Sequence, residues 1–203
     1  MRHVFAGLGL LASGICVAPV AGHGAEGMAH DAVGAALSFA DLKSTVAALD
    51  KARAATEKYQ DVRAAEADGY RAIGGMRPGM GIHYVRSRAA SGFDIANPPI
   101  LLYEQDEGAS QGLGLVGVAY MVDGPAGPDG QPAVAPFPRA LAAWHKHYDI
   151  CLLPGSRVQM DASATDCREQ GGRFIAETPW MVHAWIWKDS PAGVFSATNP
   201  NVR

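Results

Sequence analysis

The rhythm of apolar and polar positions changes once along this chain. Between Asp41 and Gly69, the residues Leu42, Val46, Leu49, Thr56, Tyr59 and Val62 recur at three- and four-residue spacing, while Lys51, Arg53, Glu57, Lys58 and Asp61 fall off that stripe. This is the pattern of an amphipathic helix with one buried face. Ser38 or Asp41 can cap its start, and Gly69 can end it. After Gly69 the pattern breaks into short apolar runs separated by Gly, Pro and Asn. Ile82 to Ser87 follows the Gly/Pro-rich turn Met76 to Gly81, and Ile100 to Glu104 follows Asn97-Pro98-Pro99. Leu113 to Val122 follows Gly108 to Gly112, so it reads with Ile100 to Glu104 as a hairpin. Asp123 to Pro138 has no period and reads as a surface excursion, with a short helical turn over Pro138 to Ala143. Met181 to Trp187 is the final strand. Hairpins with one long helix predict an α+β fold: an antiparallel curled sheet or partly open barrel, with the N-terminal amphipathic helix packed against it.

The stretch Trp144-His145-Lys146-His147-Tyr148-Asp149-Ile150-Cys151 carries the chemistry. Read as a strand, it puts His145, His147, Asp149 and Cys151 on one face and Lys146, Tyr148, Ile150 and Leu152 on the other. Two imidazoles and a carboxylate on one face begin a site for Zn(II) or Cu(II). In Met181 to Trp187, the residues Met181, His183, Trp185 and Trp187 share a face, and pairing of the two strands would bring His183 across from His145 or His147. His83, on a strand of the same sheet, is the fourth candidate, and Asp149 either binds the metal or orients a histidine. Three histidines with an open position describe a catalytic or substrate-binding site, and four closed ligands a structural one. The competing reading makes His83 and His183 hydrogen-bonded core residues and His145 and His147 solvated surface.

The ends and the cysteines place this domain. Residues 1–22 have a positive start, an apolar run to Val20 and a small-residue cleavage site at Val20-Ala21-Gly22, as in a secretory signal peptide. The run is too short and interrupted to be a membrane span. Its removal leaves roughly 180 residues, the size of one domain over 41–203, preceded by a flexible Gly/Ala-rich segment over 23–40. The expectation is an exported protein, periplasmic or extracellular, with no integral membrane segment after cleavage. In an oxidising compartment Cys151 and Cys167 would close a disulfide; the alternative is a Cys151 thiolate ligand beside His147. The formal net charge of −3 and the lack of a basic cluster exclude a nucleic-acid footprint. No pattern fixes an oligomeric state.

Other features are weaker. Cleavage after Gly22 would expose His23, with His30 nearby, as a terminal copper chelate. Trp144, Trp180, Trp185 and Trp187 read as core, with a tryptophan-lined ligand pocket and no metal as the alternative function. Glu104 and Glu177 are available for acid–base chemistry. No Ser has a nucleophile-elbow context, and no Cys-x-x-Cys-His is present for haem. The segments Met80-Gly81-Ile82-His83-Tyr84-Val85, Leu101-Leu102-Tyr103-Glu104, Leu115-Val116-Gly117-Val118-Ala119-Tyr120 and His183-Ala184-Trp185-Ile186-Trp187-Lys188, with Asn199-Pro200, resemble in their order a group of uncharacterised exported bacterial proteins. The resemblance implies an exported single domain and no assigned activity. Those proteins commonly carry a glutamate where this chain has Ala119, which implies that one carboxylate ligand is missing here.

Overall fold

The computed structural model describes residues 37–86 and 93–203. The expected signal peptide over 1–22, most of the segment 23–40 expected to be flexible, and His23 and His30 lie outside the described residues. The fold is a mixture of helix and two open antiparallel sheets, not a barrel. The larger sheet has the strand order β1-β2-β3-β4-β8, formed by β1 (Tyr70–Arg77), β2 (Gly81–Arg86), β3 (Ile100–Gln105), β4 (Leu113–Val122) and β8 (Trp180–Ala184). The smaller has the order β6-β5-β7, from β5 (Tyr148–Leu153), β6 (Arg157–Gln159) and β7 (Arg173–Glu177).

Cross-strand partners point to the same side of a sheet, so the register sorts the larger sheet into two faces. One face carries Tyr84, Leu101, Tyr103, Val118, Tyr120, Val182 and Ala184, and these enter the main hydrophobic core. The buried tyrosines there satisfy their hydroxyls on backbone carbonyls: Tyr103 donates to Tyr59 O at 2.6 Å and Tyr70 to Pro98 O at 2.6 Å. The other face carries the row Val85, Ile100, Ala119 and His183, flanked by His83, Leu102 and Gly117 on one side and Met121 and Met181 on the other. Gly117 is required there, because a Cβ would stand 2.8 Å from Ala184 O and 3.1 Å from the Trp185 ring.

The helical region starts where the pattern placed it, but it is broken. Ser38 and Asp41 form a capping box at the start of α1 (Phe39–Thr56). A 3-10 turn over Glu57–Gln60 and the short α2 (Val62–Ala67) follow, and Gly69 adopts a left-handed φ of +90° just beyond. The expected stripe is buried only in its later part: Leu49 packs against the core and Thr56, Tyr59 and Val62 are buried, whereas Leu42 and Val46 are 41% and 57% exposed and the off-stripe Thr45 and Ala52 are buried in their place. Small residues win because they allow close approach: the Thr56 hydroxyl accepts the Trp187 indole N–H at 3.1 Å, and Arg53 stacks 4.2 Å over the same ring.

Three further expectations change. Strand β1 occupies a segment, Tyr70 to Gly75, for which no element was expected, and runs into the start of the expected turn at Met76; Gly74 and Gly75 interrupt its apolar pattern, and a bulge separates Ile73 from Arg77. The last strand ends at Ala184, so Trp185 and Trp187 leave the alternation. The histidine strand does not run unbroken. Asp149 is in left-handed backbone, φ +52°, and this resets the alternation by one residue. His147 then lies on the same side as Ile150 and Leu152, and Cys151 turns away.

Cys151 forms a disulfide with Cys167 of α3 (Ala164–Glu169), with Cα atoms 5.5 Å apart and the two cysteines 16 positions apart in sequence. Cys151 is thus a disulfide partner and not a metal ligand. The bond clamps α3 onto the smaller sheet. A Cys151→Ala/Cys167→Ala variant is expected to lose about 3 kcal/mol of unfolding free energy, read as a lower urea midpoint; an unchanged midpoint would refute this role for the disulfide.

Candidate metal centre

Backbone pairing delivers the histidines. His145 and Met181 exchange two hydrogen bonds, at 2.9 and 2.7 Å, which lays the 145–147 segment along the edge of β8. His147 is fixed next to it: its N–H donates to the Thr178 hydroxyl at 3.0 Å, and its carbonyl accepts from Thr178 N–H at 2.9 Å. His183 stands two residues beyond Met181, on the same face of β8, and is wholly buried. The ring centroids of His145 and His183 are 5.2 Å apart, and those of His145 and His147 5.1 Å apart.

His83 reaches this group from the far side. Three strand spacings of about 4.8 Å separate β2 from β8 in a flat sheet, yet the His83 and His183 rings are 5.6 Å apart. The sheet curls toward this face, and the two rings meet above β4, where Gly117 and Ala119 offer nothing larger than a methyl group. Ala119 is the direct cross-strand partner of His183. A carboxylate side chain at this position would enter the histidine cluster. Asp149 does not join: its side chain is exposed and makes no hydrogen bond among the described residues.

The hydrogen bonds set the tautomers. His183 Nδ1 lies 2.7 Å from Ala197 O, and His145 Nδ1 lies 3.0 Å from Ala143 O. A carbonyl only accepts, so each Nδ1 carries the hydrogen and, in the neutral ring, each Nε2 keeps a lone pair. Both Nε2 atoms are buried without a hydrogen-bond partner. Buried polar atoms are nearly always paired, and an imidazole held at Nδ1 by a backbone carbonyl is the usual form of a metal ligand. The donor chemistry therefore fits a transition metal. Rings that ligate one tetrahedral ion through bonds of about 2.0–2.1 Å have centroids roughly 5 Å apart, close to the separations here. The contacts run as a chain, His83–His183–His145–His147. Among the described residues no three His, Cys, Asp or Glu side chains stand ready-arranged around one point, so coordination requires His83 or His147 to turn inward.

The electrostatics favour neutral rings. Burial, then the charge of Arg77, lowers His83 to about 4. Burial, then His83, lowers His183 to about 3. Burial, then His145 and Arg77, lowers His147. Neutral imidazoles are the metal-binding form.

A cavity of about 400 Å³ opens between the two sheets beside this cluster. His83 and His147 line it, together with Met80, Met121, Met160 and Met181. No tryptophan borders it; Trp144, Trp180 and Trp185 are buried in the cores. Glu104 is ion-paired with Lys188 and Glu177 with Lys146, so neither is a free base at the cavity. A wider crevice of about 860 Å³, between the start of α1 and residues 129–143, holds no histidine. The methionines and Arg77 were missed in the sequence. Met121 could have been found, since it alternates onto the face of Gly117 and Ala119. Arg77 could not, because β1 was not recognised.

Comparison with known proteins finds no matching family model, no matching curated protein and no matching solved structure.

The buried histidines give the metal-free protein a distinct acid response. Their folded-state values lie below the ordinary 6.5, so the unfolded chain takes up protons first as the pH falls. Stability is complete above about pH 6.5 and declines toward pH 4. Carboxylates such as Asp61, hydrogen-bonded by Arg63, and Asp68, by Lys58, are also lowered, and lose their contribution only below about pH 4. The urea midpoint of EDTA-treated protein should fall between pH 6.5 and 4, and His183→Phe should flatten that slope by roughly half. A midpoint constant across that window would show that the rings are not buried neutral.

Proposed function

We propose that this is an exported protein, periplasmic or extracellular, that binds a transition metal through His145, His147 and His183, with His83 completing or tuning the set. The observation that carries the reading is the pair of buried, unpartnered Nε2 atoms of His145 and His183, each on a ring held at Nδ1 by a backbone carbonyl. The Cys151–Cys167 disulfide supports an oxidising compartment. Of zinc and copper, copper is favoured. Met121 and Met181 are direct cross-strand partners next to the Ala119–His183 pair, and soft thioethers beside imidazoles suit Cu(I). A bound ion there would supply Lewis-acid or redox chemistry to a small molecule in the adjoining cavity, and a role confined to metal handling uses the same ligands. The alternative, a metal-free pocket built on tryptophan, lacks its lining.

The test is copper content after loading and exhaustive dialysis. Wild-type protein should retain about one ion per chain, with nitrogen hyperfine splitting in the Cu(II) spectrum. In His145→Ala/His147→Ala, whose side chains are only part-buried, content should fall to roughly a tenth or less. Equal copper in the folded double variant would sink the reading.

A further inference from the structure

The charge around the cavity between the sheets is one-sided. Its walls are apolar: Ile73, Val85 and Ile100 from the larger sheet face Ile150, Val158 and Ile175 from the smaller. Two guanidinium groups also border it, from Arg77 at the end of β1 and Arg173 at the start of β7. No Asp or Glu does. Arg77 is part-buried and Arg173 stands at the exposed rim, and neither makes an ion pair or a side-chain hydrogen bond among the described residues. Elsewhere Arg63 pairs with Asp61 and Arg139 with Asp129, while Arg86 and Arg168 also lack an ion pair among the described residues.

The part-buried, unpaired guanidinium of Arg77 beside an apolar enclosure is unfavourable unless an anion joins it, whereas Arg173 at the rim is hydrated. Thr178 adds a donor. Its hydroxyl oxygen already accepts the His147 N–H, so its own hydrogen is free to point into the cavity that it lines. The volume of about 400 Å³ lies within the range of small-molecule sites. From these features we infer that the cavity binds a small apolar carboxylate, its head group held by the part-buried Arg77 with the Thr178 hydroxyl as a further donor, and its body lying along the isoleucine, valine and methionine walls toward Arg173 at the far end of β7. The guanidinium fork matches a carboxylate through two parallel hydrogen bonds, which a neutral or cationic head cannot make. The site rests on the cavity and Arg77 and does not require that metal be bound.

Calorimetric titration of the EDTA-treated full chain with octanoate, and separately with octan-1-ol, tests the inference. Octanoate should saturate a single site, and the alcohol should bind at least tenfold more weakly. Arg77→Gln should weaken octanoate by about tenfold or more and leave the alcohol unchanged. Arg173→Gln, at the exposed far end of β7, should leave octanoate affinity within about twofold. Absence of saturable octanoate binding, equal binding of the alcohol, or an octanoate affinity unmoved in Arg77→Gln would each overturn it. Copper content of the same samples separates this site from the metal site. Arg77→Gln should retain copper while losing octanoate, and His145→Ala, at a residue that does not border the cavity, should lose copper while keeping octanoate.

Discussion

Two backbone hydrogen bonds between His145 and Met181 hold this molecule's chemistry together. The larger sheet ends at β8, and the 145–147 segment is added to that edge by a single bridged pair. On one side this segment runs into β5; on the other, β7 returns to β8 through Thr178 and Pro179. Both ends of the smaller sheet are thereby tied at one point, where His147 and Thr178 exchange hydrogen bonds. The smaller sheet can then lie over the histidine face of the larger one, and the space left between them is the cavity. Loss of this junction would separate His145 and His147 from His183 and open the cavity at the same time.

The two faces of the larger sheet solve different packing problems. The face under the helices is filled with large side chains, and its tyrosine hydroxyls reach backbone carbonyls, whereas the indole N–H groups of Trp144 and Trp180 are left without a partner. The opposite face has a glycine and an alanine on β4, and its polar atoms are not all satisfied. Small residues under the rings let imidazoles from β2 and β8 meet across two intervening strands. That arrangement costs stability unless something occupies the free lone pairs, since buried polar atoms without partners are unfavourable. Of the buried polar atoms left without partners, the Nε2 atoms of His145 and His183 carry imidazole lone pairs on neighbouring rings, which a metal ion can occupy.

The charge distribution follows the same division. Most side-chain ion pairs of the described residues lie on the surface, as Lys58 with Asp68 and Arg63 with Asp61 do, and pairs this exposed contribute little. The cavity has the reverse character, cations without counter-charges next to neutral histidines. A carboxylate at Asp149 would have offset that charge had alternation continued; the left-handed turn at Asp149 sends it to solvent.

Much of this was legible in the chain itself. Ser38 and Asp41 announce the helix start, the hairpin of β3 and β4 follows from its apolar runs and polar loop, and Cys151 and Cys167 form an obvious pair. Period and turn chemistry are local, and local sequence carries them. The histidines were visible as candidates for the same reason, since spacing alone puts His145 beside His147. What the chain could not show depends on residues far apart in sequence. The buried face of α1 was set in part by its contact with Trp187, not only by its own most apolar stripe. Strand β1 was hidden by Gly74 and Gly75, and with it Arg77. The meeting of His83 with His183 needs a curled sheet and small residues on a strand between them, and the orphaned Nε2 atoms exist only because carbonyls at Ala143 and Ala197 hold the opposite ring nitrogens. Sequence determined which side chains could take part in a site, because residue type and spacing are local properties. Tertiary structure decided which of them share one, because burial and hydrogen-bond partners are set only when distant segments pack.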